Sequence, residues 1–389
     1  MEEKIRVAQI MGKLWSGGVE MVVFNYYRSI DKNKIQFDFY YDSDSTVSPP
    51  QDLVDMGARF IEIPPYQQLP KYLRTLKKYF DENHYTIVHS HINTLSVFPL
   101  YVAWRCGIPV RIAHNHSVPG GDDWKRMVLK CILKRFALVF PTNYFACSEK
   151  AGRWLFGDRN YDLGKVTVIK NAVDYKKFKL NVSEKDRLVK ELNLSGKLVI
   201  GCIGRFTFAK NHRLLLDIFE EIKRQKENAV LLLVGGGELD EDIHRIVTKK
   251  GLINNVVFAG QVTNPEDYYK LCDVVVVPSI FEGLSLTTIE AQIARVPVVI
   301  SEAVPDEAII SNGCSRVMLA APISQWSECI LNSVGRKVFL YERSNEYDIS
   351  KATTKLENTY IELEKHANMM HSDRNYGGKT FDIGVNNEM

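Results

Sequence analysis

Short apolar runs alternate along this chain with longer helical patterns, and the whole series is played twice. The first series has runs at residues 6–11, 37–41, 60–63, 87–89, 110–113, 144–146 and 166–169; the second at 198–201, 229–234, 256–259, 274–277 and 296–300. Val274-Val275-Val276-Val277 and Leu231-Leu232-Leu233-Val234 contain no alternating polar residues, which suits strands buried on both faces. Strands of that kind, joined by helices such as those predicted over 19–28 and 72–80, form parallel sheets covered on both sides. The fold class predicted is therefore α/β, with two doubly wound, Rossmann-like domains facing each other across a cleft. A lysine-rich stretch near 176–197 marks the break. The expected division is 1–178, a linker over 179–197 containing a short helix, and 198–345. A helix within 346–366, periodic over 356–365, is expected to return to the first domain, and polar, Gly/Asn-rich 367–389 reads as a disordered tail.

Composition narrows the class of partner. A net charge of +3, dispersed along 389 residues, argues against nucleic acid. The seven cysteines are odd in number, include no C-x-x-C pair and mostly sit in apolar runs, so they read as reduced thiols rather than as disulfides or zinc ligands. Residues 1–5 carry no basic region before an apolar core, and no run reaches the ~18 apolar residues of a membrane span. A cytoplasmic protein is expected, able to touch a membrane surface. Within 122–140, Lys125, Arg126, Lys130, Lys134 and Arg135 alternate with Met127, Val128, Leu129, Ile132, Leu133 and Phe136. That pattern fits either a helix lying on an anionic membrane or one covering the first sheet.

Ligands of doubly wound folds sit at the carboxyl ends of the strands. After the first strand comes Gly12-Lys13-Leu14-Trp15-Ser16-Gly17-Gly18-Val19-Glu20, which is not a Walker A loop. Gly17 and Gly18 either form a tight turn or bring bare backbone N–H groups to an anion. The second series opens with a similar loop, Gly204-Arg205-Phe206-Thr207-Phe208-Ala209-Lys210-Asn211-His212, whose two cations suit a departing diphosphate or a solvated surface. Gly235-Gly236-Gly237-Glu238 lacks the spacing of a dinucleotide fingerprint, so Gly236 is either a nucleotide contact or part of a strand-end turn. The strongest element is Pro278-Ser279-Ile280-Phe281-Glu282-Gly283-Leu284-Ser285-Leu286-Thr287-Thr288-Ile289-Glu290. It places Glu282 in a loop, opens a helix at Gly283, Leu284 and Ser285, and sets Glu290 about two turns further on. Asp42-Ser43-Asp44 matches a metal-binding D-x-D but lies among Ser, Thr and Pro, and is expected to be a solvated loop.

The ordered set Gly17-Gly18-Val19-Glu20, Asn171-Ala172-Val173-Asp174, Gly204-Arg205 with Lys210-Asn211-His212, Gly235-Gly236-Gly237-Glu238, and Glu282 with Glu290 resembles retaining glycosyltransferase family 4. Within that family it looks most like bacterial transferases of capsule and exopolysaccharide assembly, and His89-Ser90-His91, Arg111-Ile112-Ala113-His114, Ala146-Cys147-Ser148 and Trp154-Leu155-Phe156-Gly157 add to the likeness. The resemblance spans about 4–365 and implies the GT-B fold. It implies that Glu282 meets the donor sugar, that the backbone of Gly283, Leu284 and Ser285 binds phosphate, and that Glu290 holds the ribose. Arg205 and Lys210 would stabilise the leaving diphosphate, and Gly17 and Gly18 would close onto it. A histidine after the 110–113 strand, either His114 or His116, would stand near the reacting sugar. The implied donor is a nucleotide sugar, UDP-linked for preference, acting as co-substrate without cofactor or metal, and the implied acceptor is a glycan or a polyprenyl-linked sugar. The rival readings are a sugar-nucleotide epimerase and a non-catalytic scaffold on the same fold. Ala172 stands where the common pattern has Gly, which puts only the turn geometry in doubt.

Overall fold

The structure is a computed structural model that describes residues 4–15, 18–117, 124–179 and 181–376. Seven strands build the first sheet: β1 Ile5–Gly12, β2 Ile35–Asp42, β3 Arg59–Ile63, β4 Ile87–Ser90, β5 Val110–Asn115, β6 Asn143–Ala146 and β7 Val166–Val168. Six build the second: β8 Leu198–Ile203, β9 Ala229–Val234, β10 Val256–Gly260, β11 Val274–Val277, β12 Val298–Ser301 and β13 Cys314–Val317. Their spatial orders, β3-β2-β1-β4-β5-β6-β7 and β10-β9-β8-β11-β12-β13, follow one plan. Every pairing is parallel. In each sheet the order reverses beside the first strand, between β1 and β4 and between β8 and β11. Doubly wound sheets bind their ligands at that reversal.

Both faces of both sheets are covered, as uninterrupted apolar runs require. In the first domain Tyr27, Phe37 and Phe39 fill one face, while Tyr40, Tyr72 and Phe80 fill the other. In the second, Leu232, Val275 and Ile300 face one helical layer, and Leu231, Val276 and Trp326 the other. β13 has no counterpart in the sequence reading. It is an edge strand, Cys-Ser-Arg-Val, with only Val317 buried, so no apolar run announces it.

The linker helix, Val182–Glu191, is capped by Asn181, whose side chain accepts from the Glu184 N–H at 3.3 Å. Leu188 and Leu194 anchor this segment in the second domain's core. The chain crosses between domains twice, and the crossings pair: the Val173 N–H donates to Tyr347 O at 2.9 Å and the Ile349 N–H to Val173 O at 3.0 Å. Helix Ile349–Tyr376 then lies against the first domain, burying Leu356, Tyr360 and Ala367 in its core. It runs past residue 367, so at least the start of the segment read as a tail is helical. No glycine or proline interrupts 349–376, and Ala367 is buried against the first domain, so the helix continues there. Residues 377–389 lie outside those described.

Candidate active site

The loops after β8 and β11, both singled out in the sequence, meet at the reversal point of the second sheet. After β8, Gly204 turns with φ 146° and leads to the short 3-10 turn Phe208–Lys210. After β11, residues 278–285 enter helix Leu286–Ile293 through Ser285, held left-handed at φ 72°. Lys210 from the first of these loops reaches Glu282 of the second, Nζ to Oε1 at 2.7 Å. The Ser279 hydroxyl donates to the same oxygen at 2.8 Å. Both groups are largely buried, with side-chain exposures of 23% for Lys210 and 12% for Glu282. One cation and one carboxylate are thus fixed at the mouth of a helix. The helix supplies further positive potential from its amino-terminal N–H groups. Ser285 does not cap that end with its side chain; its hydroxyl lies 2.9 Å from that of Thr288. Leu284 is buried in the core and anchors the turn, leaving its backbone for contact.

Glu290, on the helix that follows the loop, does not share the environment of Glu282. Burial pushes its carboxyl up to about 7, and the Tyr269 hydroxyl, donating at 2.7 Å, offsets this in part. Beside this loop, Gly235, Gly236 and Gly237 line a pocket of about 410 Å³ with Asp240, His244, Phe258, Gly260 and Gln261. His244 is stacked on Phe258, with ring centroids 3.7 Å apart and planes 17° apart. The glycines are required here. A Cβ on Gly235 would lie 2.0 Å from Gly204 O, and one on Gly237 would lie 2.7 Å from Phe206 O.

The first domain faces this surface. A Cβ on Gly18, the first residue of helix Gly18–Ser29, would stand 3.6 Å from the Leu286 side chain, so the two helix starts oppose each other across the cleft. Gly17 lies outside the described residues. Arg205 is not beside Lys210 and Glu282 in a common ion pair; it is exposed, with its guanidinium 5.8 Å from the Trp15 ring of the opposite domain. Trp15 is oriented by its backbone N–H, which donates to Glu20 Oε1 at 3.0 Å. Further hydrogen bonds tie the two domains. Ser148 Oγ donates to Gly283 O at 3.4 Å, and Glu307 accepts from the Glu149 N–H at 2.9 Å and from Lys170 Nζ at 2.8 Å.

His114 and His116 point to the same face of β5, where His89 and His91 of β4 and its following turn join them. His114 and His116 are stacked, with centroids 3.9 Å apart. His89 lies 3.0 Å from His114, and His91 lies 2.9 Å from His116, nitrogen to nitrogen. The two candidates are separated by position. His114 is walled in by His89 and Phe145. His116 is the outer one, past the end of β5, with its N–H donating to Asn93 Oδ1 at 2.8 Å and its ring 3.4 Å from Asn171 Oδ1. Ring nitrogens of His89, His91 and His114 lie within 4.8 Å of one another, although His89 and His114 are engaged with each other and His91 with His116 and Gln9. Asp42 corrects the sequence reading: it ends β2 and is 5% exposed, because the strand carries it under the following loop. Burial and Asp44 raise its carboxyl to about 7, while Asp44 pairs in the open with Lys13 at 3.1 Å. Gln9, Tyr360, Tyr269 and the His244–Phe258 stack belong to no motif read in the sequence, and Trp15 lies in the first strand-end loop with no role read for it there.

Helix Trp124–Lys134 and the turns after it leave several of their apolar residues exposed. Val128, Leu129, Ile132, Phe136 and Val139 are each more than 40% exposed, whereas Leu133 and Ala137 are buried and Phe140 packs against the first domain's core. Among the described residues no helix is long and apolar enough to cross a membrane.

Two doubly wound domains with cations, carboxylates and a helix start converging in the cleft define a GT-B glycosyltransferase. Residues 16–177 match the model of Glycosyltransferase Family 4, and residues 184–330 match that of Glycosyl transferases group 1. The chain belongs to the glycosyltransferases built from these two domains. The putative glycosyltransferase EpsF of Bacillus subtilis (strain 168) is 29% identical over 93% of this chain and 98% of its own length. The capsular polysaccharide biosynthesis glycosyltransferase CapH of Staphylococcus aureus is 24% identical over 92% and 99%. Among solved structures, Anabaena Alr3699/HepE in complex with UDP and glucose superposes with a TM-score of 0.72 at 16% identity, over 95% of this chain and 99% of that one. The chain is thus a glycosyltransferase of polysaccharide synthesis.

Proposed function

We propose that the chain transfers a hexose from UDP to a glycan or polyprenyl-linked acceptor with retention of the anomeric configuration and without a metal ion. The observation that carries the reading is the meeting of Lys210, Glu282 and the start of helix Leu286–Ile293 at one point of the cleft, opposite Gly18. The base would occupy the 410 Å³ pocket against His244 and Phe258. The ribose diol would donate to Glu290, and the diphosphate would lie over the N–H groups from Gly283 to Ser285. Glu282 would accept from sugar hydroxyls, with Lys210 shifting towards the diphosphate. Arg205 would swing from Trp15 to the same anion. In the transfer step the bond between C1 and the β-phosphate oxygen breaks, and the acceptor oxygen bonds to C1 on the same face. The acceptor proton passes to the departing phosphate oxygen. The charge that grows on that phosphate meets Lys210, Arg205 and the helix start, which supply the positive potential a metal would otherwise provide. The presence of UDP and glucose in HepE supports the choice of nucleotide.

The exposed apolar ridge of helix Trp124–Lys134, flanked by Lys134 and Arg135, supports a membrane-surface role suited to a lipid-linked acceptor. The test is a transfer assay with UDP-sugars and polyprenyl-diphosphate-linked acceptors in EDTA, with the product anomer read by NMR. A product of donor configuration is expected. An inverted product, or activity that returns only with Mn²⁺, would refute the mechanism.

A further inference from the structure

Gln9 of β1 has no exposed surface and stands between two branches of the imidazole network. Its amide nitrogen donates to the Tyr360 hydroxyl at 3.1 Å, and its amide oxygen accepts from His91 Nε2 at 2.7 Å. The rings of His89, His91, His114 and His116 are buried, and each nitrogen-to-nitrogen bond between them needs a bare nitrogen to accept, so the network is built from neutral imidazoles. Each ring then carries one proton, and the place of one proton fixes the next.

On the first branch, the Tyr360 hydroxyl accepts from Gln9 and donates to His89 Nδ1 at 2.6 Å. His89 Nε2–H donates in turn to His114 Nδ1 at 3.0 Å. The His114 proton is left on Nε2, which is buried without a partner among the described residues. On the second branch, His91 donates through Nε2 to Gln9, so its Nδ1 accepts from His116 Nε2–H at 2.9 Å. His116 Nδ1 is therefore a bare acceptor at the outer end. Its 3.4 Å contact with Asn171 Oδ1 is a hydrogen bond only with the proton on His116 Nδ1, so the Nε2–H form requires the Asn171 amide turned over, its Nδ2–H donating to Nδ1 until a sugar hydroxyl takes its place. Turning the Gln9 amide over would reverse both branches. All four protons would move to Nδ1, and His116 would donate to Asn171 instead.

We propose that Gln9 and Tyr360 are positioning residues that hold His116 as its Nε2–H tautomer, leaving Nδ1 to accept a hydroxyl proton from the sugar. The proposal rests on the reading of His116 as the sugar-facing histidine. It also gives the returning helix a part in the site, because Tyr360 is its contribution to the network.

The experiment uses the full chain labelled with ¹⁵N-histidine, long-range ¹⁵N–¹H correlation at pH 7, and single histidine substitutions for assignment. All four rings are expected as Nε2–H tautomers, and a wild-type His116 protonated on Nδ1 would overturn the proposal. Gln9→Met keeps the volume and removes both bonds; Tyr360→Phe keeps the ring edge-on to Phe37, centroids 6.0 Å apart, and removes the hydroxyl. Gln9→Met is expected to mix the tautomers of His91 and His116 and to lower kcat about tenfold. Its UDP affinity, set in the other domain, should stay within about twofold. Tyr360→Phe should shift the His89 nitrogens and lower kcat by a smaller factor. An unchanged kcat in Gln9→Met despite disturbed tautomers would overturn the positioning role. A wild type that binds no UDP would remove the role through the function reading, while its tautomers would still decide the network.

Discussion

Replacing Glu290 by Gln should make the empty protein more stable and its nucleotide binding weaker, two effects of opposite sign from one site. The Glu290 carboxyl is raised by burial from the usual value of 4.5 to about 7. At ~1.4 kcal/mol per tenfold change in ionisation, keeping this group charged in the folded protein costs roughly 3 kcal/mol at pH 8. The folded protein holds the proton to higher pH than the unfolded chain does. The stability it contributes is therefore fully present below about pH 4.5, is lost as pH rises through about 7, and stays lost above. Glutamine keeps the shape, accepts from Tyr269 and carries no charge, so it should show no such loss. Urea unfolding at pH 5 and pH 8 should find the two proteins similar at the lower pH. At the higher pH the Gln variant should be more stable by about 1–3 kcal/mol, the lower figure allowing for partial solvation. UDP titration of the same proteins at pH 8 should show roughly tenfold weaker binding to the variant, because the ribose diol loses a charged acceptor. A variant no more stable than wild type at pH 8 would show that the carboxyl ionises normally. Unchanged UDP affinity would remove Glu290 from the nucleotide site.

Other perturbations test separate parts of the site. Lys210→Ala leaves Glu282 without its cation at 2.7 Å and should lower kcat/KM by about 100-fold while weakening UDP binding, as steady-state kinetics and calorimetry would show. Gly235→Ala puts a Cβ 2.0 Å from Gly204 O at φ 135°, and should destabilise the second domain by more than about 2 kcal/mol in urea unfolding. Ile132→Glu combined with Phe136→Glu should reduce co-sedimentation with anionic vesicles several-fold while leaving transfer to a soluble acceptor unchanged; both residues are about half exposed, so folding should not suffer.

The sheets were legible because buried parallel strands are rich in apolar residues, most plainly in β9 and β11, which are apolar throughout. β13 sits at an edge with Arg316 among its four residues, so its pairing with β12 comes from tertiary context alone. The strand-end loops were legible as phosphate-binding candidates because glycine and cations at those points have few other uses. Pairwise geometry was not. Nothing in the spacing of Lys210 and Glu282 says that they touch, and nothing marks Arg205 as resting on Trp15. The histidine network lies furthest beyond local reading: Gln9 and Tyr360 are 351 residues apart in sequence and meet only because the last helix returns to the first domain. Asp42 misled because its neighbours are polar, whereas its own exposure is set by the strand that carries it. The helix within 122–140 was ambiguous in sequence, since a basic amphipathic pattern does not say which side faces the sheet. The structure turns Ile132 and Phe136 outward.

The central claim is that the cleft of the second domain holds a nucleoside diphosphate sugar through Lys210, the helix start at Ser285 and the pocket at His244. Isothermal titration of the full chain with UDP, GDP and ADP, each in EDTA, tests it most directly. Saturable one-site binding of UDP, much tighter than that of the other two and weakened by Lys210→Ala, is the expected result. No binding of any nucleoside diphosphate to folded protein, or UDP binding indifferent to Lys210, would contradict it.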